Sequence, residues 1–300
     1  SRFLYEARIT GQLEHPSIVP VYELGRRSDG TLYYTMRFMR GRSLGKAIRA
    51  GENIQDRLRL LPHFIDLCQA IAFAHSRGVI HRDVKPDNVM VGEFGETVVI
   101  DWGLARATHQ TGLSPEDAGE EKEDAFPPAK DAAMGTPAYM APEQASGEGD
   151  GVDERADVYS LGAVLYELLT GKMPFCDTPS SNVLSKLLAG PPAPLAENAQ
   201  GAPDELIAIC NHAMDRSPAR RYQTAKELAV DIERFLSGRL VGVYHYNLRE
   251  LFLHFMHSFK APLLVGAVGL VLISTIVFIS YQRIQVERDR AVSESIRAKD

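Results

Sequence analysis

The order of elements in this 300-residue chain predicts an α+β fold followed by one apolar helix. Three observations carry that reading. Strand-like runs and turns recur within the first hundred residues, and helical periodicity dominates from residue 58 to residue 235. An uncharged stretch then runs over residues 261–279. With 45% hydrophobic residues the chain can build one large domain with a sizeable core.

Phe3, Leu4, Ala7 and Leu13 follow a helix-like pattern that closes at His15-Pro16, because proline restricts the residue before it. Residues 19–24 and 31–38 read as strands, separated by the turn-rich 25–30 segment. From Leu58, the positions Leu61, Ile65, Cys68, Ala72 and His75 recur at steps of three and four, one face of a long helix ending near Gly78. The short apolar runs 89–91 and 98–100, joined by residues 92–96, predict a small hairpin. Residues 114–131 are acidic, rich in Pro and Ala and without periodicity, which predicts a mobile loop. Residues 158–169 are apolar on nearly all sides and stop at Gly171, so this helix belongs in the middle of a core. Thr224-Ala225-Lys226-Glu227 reads as a capping box opening a helix that carries Leu228, Ile232 and Phe235.

At ~1.5 Å per residue, residues 261–279 make about 28 Å of helix, close to the ~30 Å hydrocarbon core of a bilayer. The K/R balance around this stretch is neutral: Arg239, Arg249 and Lys260 precede it, and Arg283, Arg288 and Arg290 follow. Gly266 and Gly269 lie in it without GxxxG spacing, so a packed transmembrane dimer is not indicated, although a homodimer stays open. The aromatic and His-rich 241–259 segment reads as an interfacial juxtamembrane helix in preference to a metal site.

A net charge of −6 argues against nucleic acid as a partner. Cys68, Cys176 and Cys210 form no CxxC pair, and two of them sit in apolar helical patterns, which predicts buried free thiols and a reducing compartment. The chain opens at Ser1 inside a helical pattern and shows no signal peptide, and it is read as a fragment.

The segment His81-Arg82-Asp83-Val84-Lys85-Pro86-Asp87-Asn88 resembles the catalytic loop of eukaryotic-type protein kinases. The resemblance implies that Asp83 accepts or orients the substrate hydroxyl proton, that Lys85 neutralises charge on the γ-phosphate and that Asn88 holds a Mg²⁺ ion. Such residues suit the reaction because a loose phosphoryl transition state needs positioned charge more than covalent help. Asp101-Trp102-Gly103 stands where kinases carry Asp-Phe-Gly, which makes Asp101 the second Mg²⁺ ligand. Residues 135–143, Gly-Thr-Pro-Ala-Tyr-Met-Ala-Pro-Glu, resemble the end of an activation segment, and Thr136 with Lys85 is the Ser/Thr-kinase pattern. By the same resemblance Thr136 shapes the hydroxyl site close to Asp83, Glu143 pairs with Arg221, and Asp157 ties down the catalytic-loop backbone. Glu6 matches the carboxylate that pairs with an ATP-binding lysine, Met36 the gatekeeper, residues 37–39 with Phe38 the hinge, and Met90 the floor under adenine.

The implied architecture is a protein-kinase-like two-lobe fold with an incomplete N-lobe and a mainly helical C-lobe, plus one transmembrane helix. Residues 1–40 are the remainder of the N-lobe and 41–238 the C-lobe. Residues 239–260 are juxtamembrane, 261–280 the transmembrane helix and 281–300 the polar start of an outer segment. This layout resembles the bacterial eukaryotic-like receptor kinases, with ATP and Mg²⁺ as cofactors, protein substrates, a single membrane span and a cytoplasmic kinase domain. About forty positions separate Gly103 from Glu143, and Thr108, Thr111 and Ser114 in that stretch are candidate phosphosites. No Gly-rich loop and no lysine precede Glu6, so the fragment alone is expected to be inactive. The rival is a pseudokinase scaffold that binds partners without catalysis. A small-molecule kinase fits less well, since it has no use for residues 135–143.

Overall fold

The computed structural model describes residues 2–107, 136–147, 151–251 and 260–297, and the chain divides into two units, 1–244 and 245–300. The candidate phosphosites Thr108, Thr111 and Ser114 and the acidic 114–131 stretch lie outside the described residues.

The first unit opens with helix α1 (Arg2–Gln12), which buries Ala7 and Ile9, and Leu13 just after it is buried as well. It leads into an antiparallel pair, β1 (Val21–Arg26) and β2 (Leu32–Met36), in which Leu24 faces Tyr34 and the register breaks between Val21 and Glu23. The turn between them closes through Arg27 and Thr31, with Asp29 accepting from the Thr31 amide.

A second sheet of order β3-β5-β6 follows, built from β3 (Gly41–Ser43), β5 (Val89–Gly92) and β6 (Thr97–Val99). Gly41 has φ 139°, and a Cβ there would run into the Val91 carbonyl, so only glycine lets these backbones meet. Between β3 and β5 the chain forms α2 (Leu44–Ala50), α3 (Ile54–Leu58) and α4 (Leu61–Ser76), then the two-residue strand β4 (Val79–Ile80). Strand β4 pairs with β7 (Arg106–Ala107). The expected 92–96 hairpin is present, closed by a 2.8 Å bond from the Gly92 amide to the Glu96 carbonyl.

The buried face of α4 differs from the sequence expectation. Leu61 and Cys68 are buried as expected, but Phe64, Leu67, Ala70, Ile71 and Ala74 complete the buried arc, while Ile65 and Ala72 are only half-buried. The helix is packed by α6 (Glu154–Thr170), α10 (Ala225–Leu236), β4 and β6 at once, so the arc is wider than one stripe and turned from it.

The helical remainder comprises α5 (Pro142–Ala145), α6 (Glu154–Thr170), α7 (Val183–Ala189), α8 (Leu195–Asn198), α9 (Asp204–Ala213) and α10 (Ala225–Leu236). Helix α6 is buried at every position from Ala156 to Leu169, which is the behaviour expected of a helix without a polar face. It ends at Gly171 in the left-handed conformation, φ 75°, whose amide returns to the Glu167 carbonyl. Arg57 caps the same end, donating to the Leu168 and Leu169 carbonyls. The capping box on α10 is half formed: Thr224 accepts from the Glu227 amide at 3.2 Å, but Glu227 accepts from the Gln223 amide rather than from Thr224. Cys68 and Cys210 are buried free thiols pushed up in pKa by burial, whereas Cys176 is exposed.

The leading segment and the second sheet are stitched together at Ile18 and Val99, with Val19 donating to the Val99 carbonyl and Val99 to Ser17. In the second unit, helix α11 (Lys260–Arg297) contains a stretch, Val268–Val286, long and apolar enough to cross a membrane.

Candidate active site

The loop between β4 and β5 carries a dense polar network. Its anchor is Asp157, fully buried in the first turn of α6. That carboxylate accepts from the His81 amide (2.8 Å), the Arg82 amide (2.8 Å) and His75 Nε2 (2.8 Å). Burial alone would raise the Asp157 carboxyl, but the bond and charge of His75 and the His81 side outweigh it and hold the group below its ordinary value. With both amides clamped, Arg82 adopts φ 67°, a conformation unusual for a non-glycine residue, and its carbonyl accepts from Gln144 Nε2 at 2.8 Å.

The turn this imposes brings three side chains together. Lys85 Nζ lies 2.6 Å from Asp83 Oδ2, and Asn88 Nδ2 donates to the same oxygen at 3.2 Å and to the Asp83 carbonyl at 3.1 Å. Both bonds fall on Oδ2, leaving Oδ1 as the oxygen open to a hydroxyl. Asn88 spends its amide nitrogen on Asp83, so its Oδ1 is the atom left for a cation. Proline at the start of the 3-10 turn Pro86–Asn88 pre-sets this geometry. Asp87 in that turn is held by Ser43 and Arg49, which fastens α2 to the loop.

Asp101 stands at the end of the hairpin with φ 92°, its Oδ1 accepting from the Gly103 amide at 3.1 Å. Trp102 beside it is buried, its ring 4.6 Å from that of His81. His81 accepts from the Asp83 amide through Nδ1, and burial lowers its pKa against the pull of Asp157, Asp83 and Asp101.

A cavity of about 530 Å³ opens next to these groups, within the range of small-ligand sites. Glu6, Met36, Phe38, Met90 and Asp101, singled out in the sequence, all line it. The sequence reading passed over Thr10, Tyr34 and Trp102 as wall residues. Tyr34 could have been found, because alternate strand residues share a face and it lies two positions before Met36.

Glu143 and Arg221 form a bidentate pair at 2.6 and 2.8 Å with the guanidinium wholly buried. Thr136 heads the 3-10 turn Pro137–Tyr139, and a bond from its hydroxyl to Asp83 is not among those formed by the described residues. Tyr139 in that turn donates to the buried Glu167 of α6.

Residues 1–231 match the protein kinase domain. The chain belongs to the protein kinase family. It is 40% identical over 264 residues to the serine/threonine-protein kinase PknD of Protochlamydia amoebophila, covering 79% of this chain and 26% of that one. It is 39% identical over 242 residues to the serine/threonine-protein kinase PknB of Mycolicibacterium smegmatis, covering 79% and 36%. With the probable serine/threonine-protein kinase SCO3848 of Streptomyces coelicolor the figures are 36% over 246 residues, 81% and 34%. The chain therefore spans about a quarter to a third of the length of these kinases. As in other protein kinases, the C-lobe is mostly helical and the sheets are small.

Proposed function

We propose that this protein transfers the γ-phosphate of ATP to serine and threonine hydroxyls of proteins. The observation that carries the reading is the Asp83 carboxylate with Lys85 and Asn88 gathered on one of its oxygens, together with Asp101 on the wall of a ligand-sized cavity. The Asp83 side chain is 12% exposed, accessible to a hydroxyl yet largely dry, which strengthens its field. In this reading Asp83 Oδ1 takes the hydroxyl proton as the hydroxyl oxygen attacks the γ-phosphorus, and the bond from that phosphorus to the β–γ bridging oxygen breaks so that ADP leaves. Lys85 faces the transferring group, and Thr136 shapes the hydroxyl site.

The Asn88 amide oxygen and the Asp101 carboxylate are hard oxygen donors of the kind Mg²⁺ prefers, and they are its proposed ligands. When bound, Mg²⁺ would neutralise charge on the phosphates. Met36, Phe38 and Met90 are the apolar contacts offered to adenine, and Glu6 is the carboxylate offered to a lysine. The first lysine of the sequence is Lys46, and among the described residues the Tyr34 hydroxyl donates to Glu6. A protein made of these 300 residues alone is accordingly proposed to bind ATP weakly and to transfer little phosphate.

Membrane anchoring by α11 is part of the proposal. Leu270, Ile273, Val277 and Phe278 are each about 60% exposed or more along it, apolar surface that water disfavours by ~25 cal/mol per Å². With the kinase domain on the side that holds ATP and reduced thiols, the protein would signal from the cytoplasmic face. Residues 239–260 would connect domain to membrane, and 281–300 would begin the part beyond it.

The test is transfer of labelled phosphate from Mg·ATP to a basic protein and to the kinase itself, using the full-length protein beside Asp83→Asn. Label on Ser and Thr that falls by about 10²–10⁴-fold in the variant is the expected result. A folded protein that binds partners and leaves no label overturns the reading in favour of a pseudokinase scaffold.

A further inference from the structure

Tyr34 sits in the middle of β2, and its hydroxyl donates to Glu6 Oε1 at 2.9 Å. Phe3, one turn before Glu6 on α1, lays its ring 4.9 Å from the Tyr34 ring, so the tyrosine meets the helix at two points on one face. The other carboxylate oxygen of Glu6 reaches the Asp-Trp-Gly turn. A Cβ added at Gly103 would meet Glu6 Oε2 at 3.2 Å and Asp101 Oδ1 at 3.1 Å. Two carboxylates thus stand close to one glycine, and the Tyr34 hydroxyl meets Glu6 on its other oxygen.

We propose that Tyr34 is a positioning residue: its hydroxyl pins Oε1 of Glu6 to β2 and holds Oε2 in the nucleotide cavity for the cation that pairs with it. This rests on the reading of the cavity as the ATP site. A phenol suits the task because it is a neutral donor that brings no competing charge. Burial, the bond to Glu6 and the charges of Glu6 and Asp101 push the phenol up to about 12, so it keeps its proton throughout the physiological range. A lysine arriving at Glu6 would find one oxygen already oriented and need only take the other.

The Tyr34→Phe variant removes the hydroxyl and keeps the ring against Phe3. In the full-length protein, kcat and KM for Mg·ATP and the Kd for Mg·ATP are measured for wild type, Tyr34→Phe, Glu6→Ala and the double variant. A hydrogen bond to a charged group predicts a loss of about tenfold in kcat/KM for Tyr34→Phe, mostly in KM. If the tyrosine acts through Glu6, the same change in the Glu6→Ala background has no further effect. A Tyr34→Phe protein equal to wild type overturns the proposal, and so does a loss that persists undiminished without Glu6. A wild type that binds Mg·ATP but transfers nothing overturns the kinase reading alone, because the cycle is then read in Kd. A wild type that binds no nucleotide overturns both.

Discussion

Asp157 shows how one side chain sets the site. Its two oxygens accept from consecutive amides, His81 and Arg82, and from His75 on α4, so the loop cannot relax without stranding a buried charge. Three histidines of the first unit, His81 in the loop and His15 and His63 outside it, make stability depend on pH. Burial lowers His81, His15 and His63 below the ordinary 6.5. Each therefore binds more protons unfolded than folded just below that value, and stability rises with pH across the window. Their contribution is complete above pH 6.5 and is lost as pH falls from there through the folded values. We expect the urea midpoint to drop between pH 7 and pH 5.5, and His81→Phe to flatten part of the slope; an unchanged slope in that variant would refute the assignment. The Glu143–Arg221 pair is the second residue-scale case. Arg221 also donates to the carbonyls of Asp215 and Arg155, so Arg221→Ala should cost about 3–5 kcal/mol in urea unfolding. Arg221→Lys should recover little of it, because lysine lacks the planar fork.

Elements end where individual residues stop them. Gly171 terminates α6 at φ 75° with the Arg57 guanidinium 3.2 Å from where a Cβ would stand. Gly171→Ala should destabilise by about 1 kcal/mol, read as a lowered Tm. Thr224→Ala removes the cap of α10 and should cost about 1 kcal/mol as well. Glu227→Gln should cost less, because Glu227 reaches the Gln223 amide rather than completing the reciprocal box. Much of this level was legible beforehand. The Gly171 stop, the 92–96 hairpin and the all-buried α6 follow from local pattern, since each depends on residues within a few positions. The face of α4 was not legible, because which side of an apolar helix is buried depends on how many neighbours surround it.

At the scale of the whole molecule, the first unit is a domain with its own core and the second holds an apolar helix. If α11 spans a bilayer, a charge at its middle should keep it out. Leu272→Arg should add about 2.5–3.5 kcal/mol to insertion and move the protein from the membrane pellet to the soluble or aggregated fraction. The wild type should stay in the membrane pellet after alkaline washing, and its release there would count against the span. Within the domain, Ile18 and Val99 join the leading segment to the second sheet, and the cavity lies where α1, β2 and the hairpin meet.

The residues of the catalytic loop, the Asp-Trp-Gly turn and the 135–143 segment identified the family from sequence, because phosphoryl transfer demands particular side chains at short, fixed spacings. The apolar stretch was equally plain, since the length that a bilayer would require can be counted along the sequence. Tertiary structure alone decided that Tyr34 holds Glu6, that Arg82 and Asp101 take positive φ, and that Asp83 carries both its partners on one oxygen. Tyr34 and Glu6 come from separate elements, and no local pattern encodes a bond that only the packing of helix on strand brings within 3 Å; the loop geometry at Arg82 depends likewise on Asp157 of a distant helix.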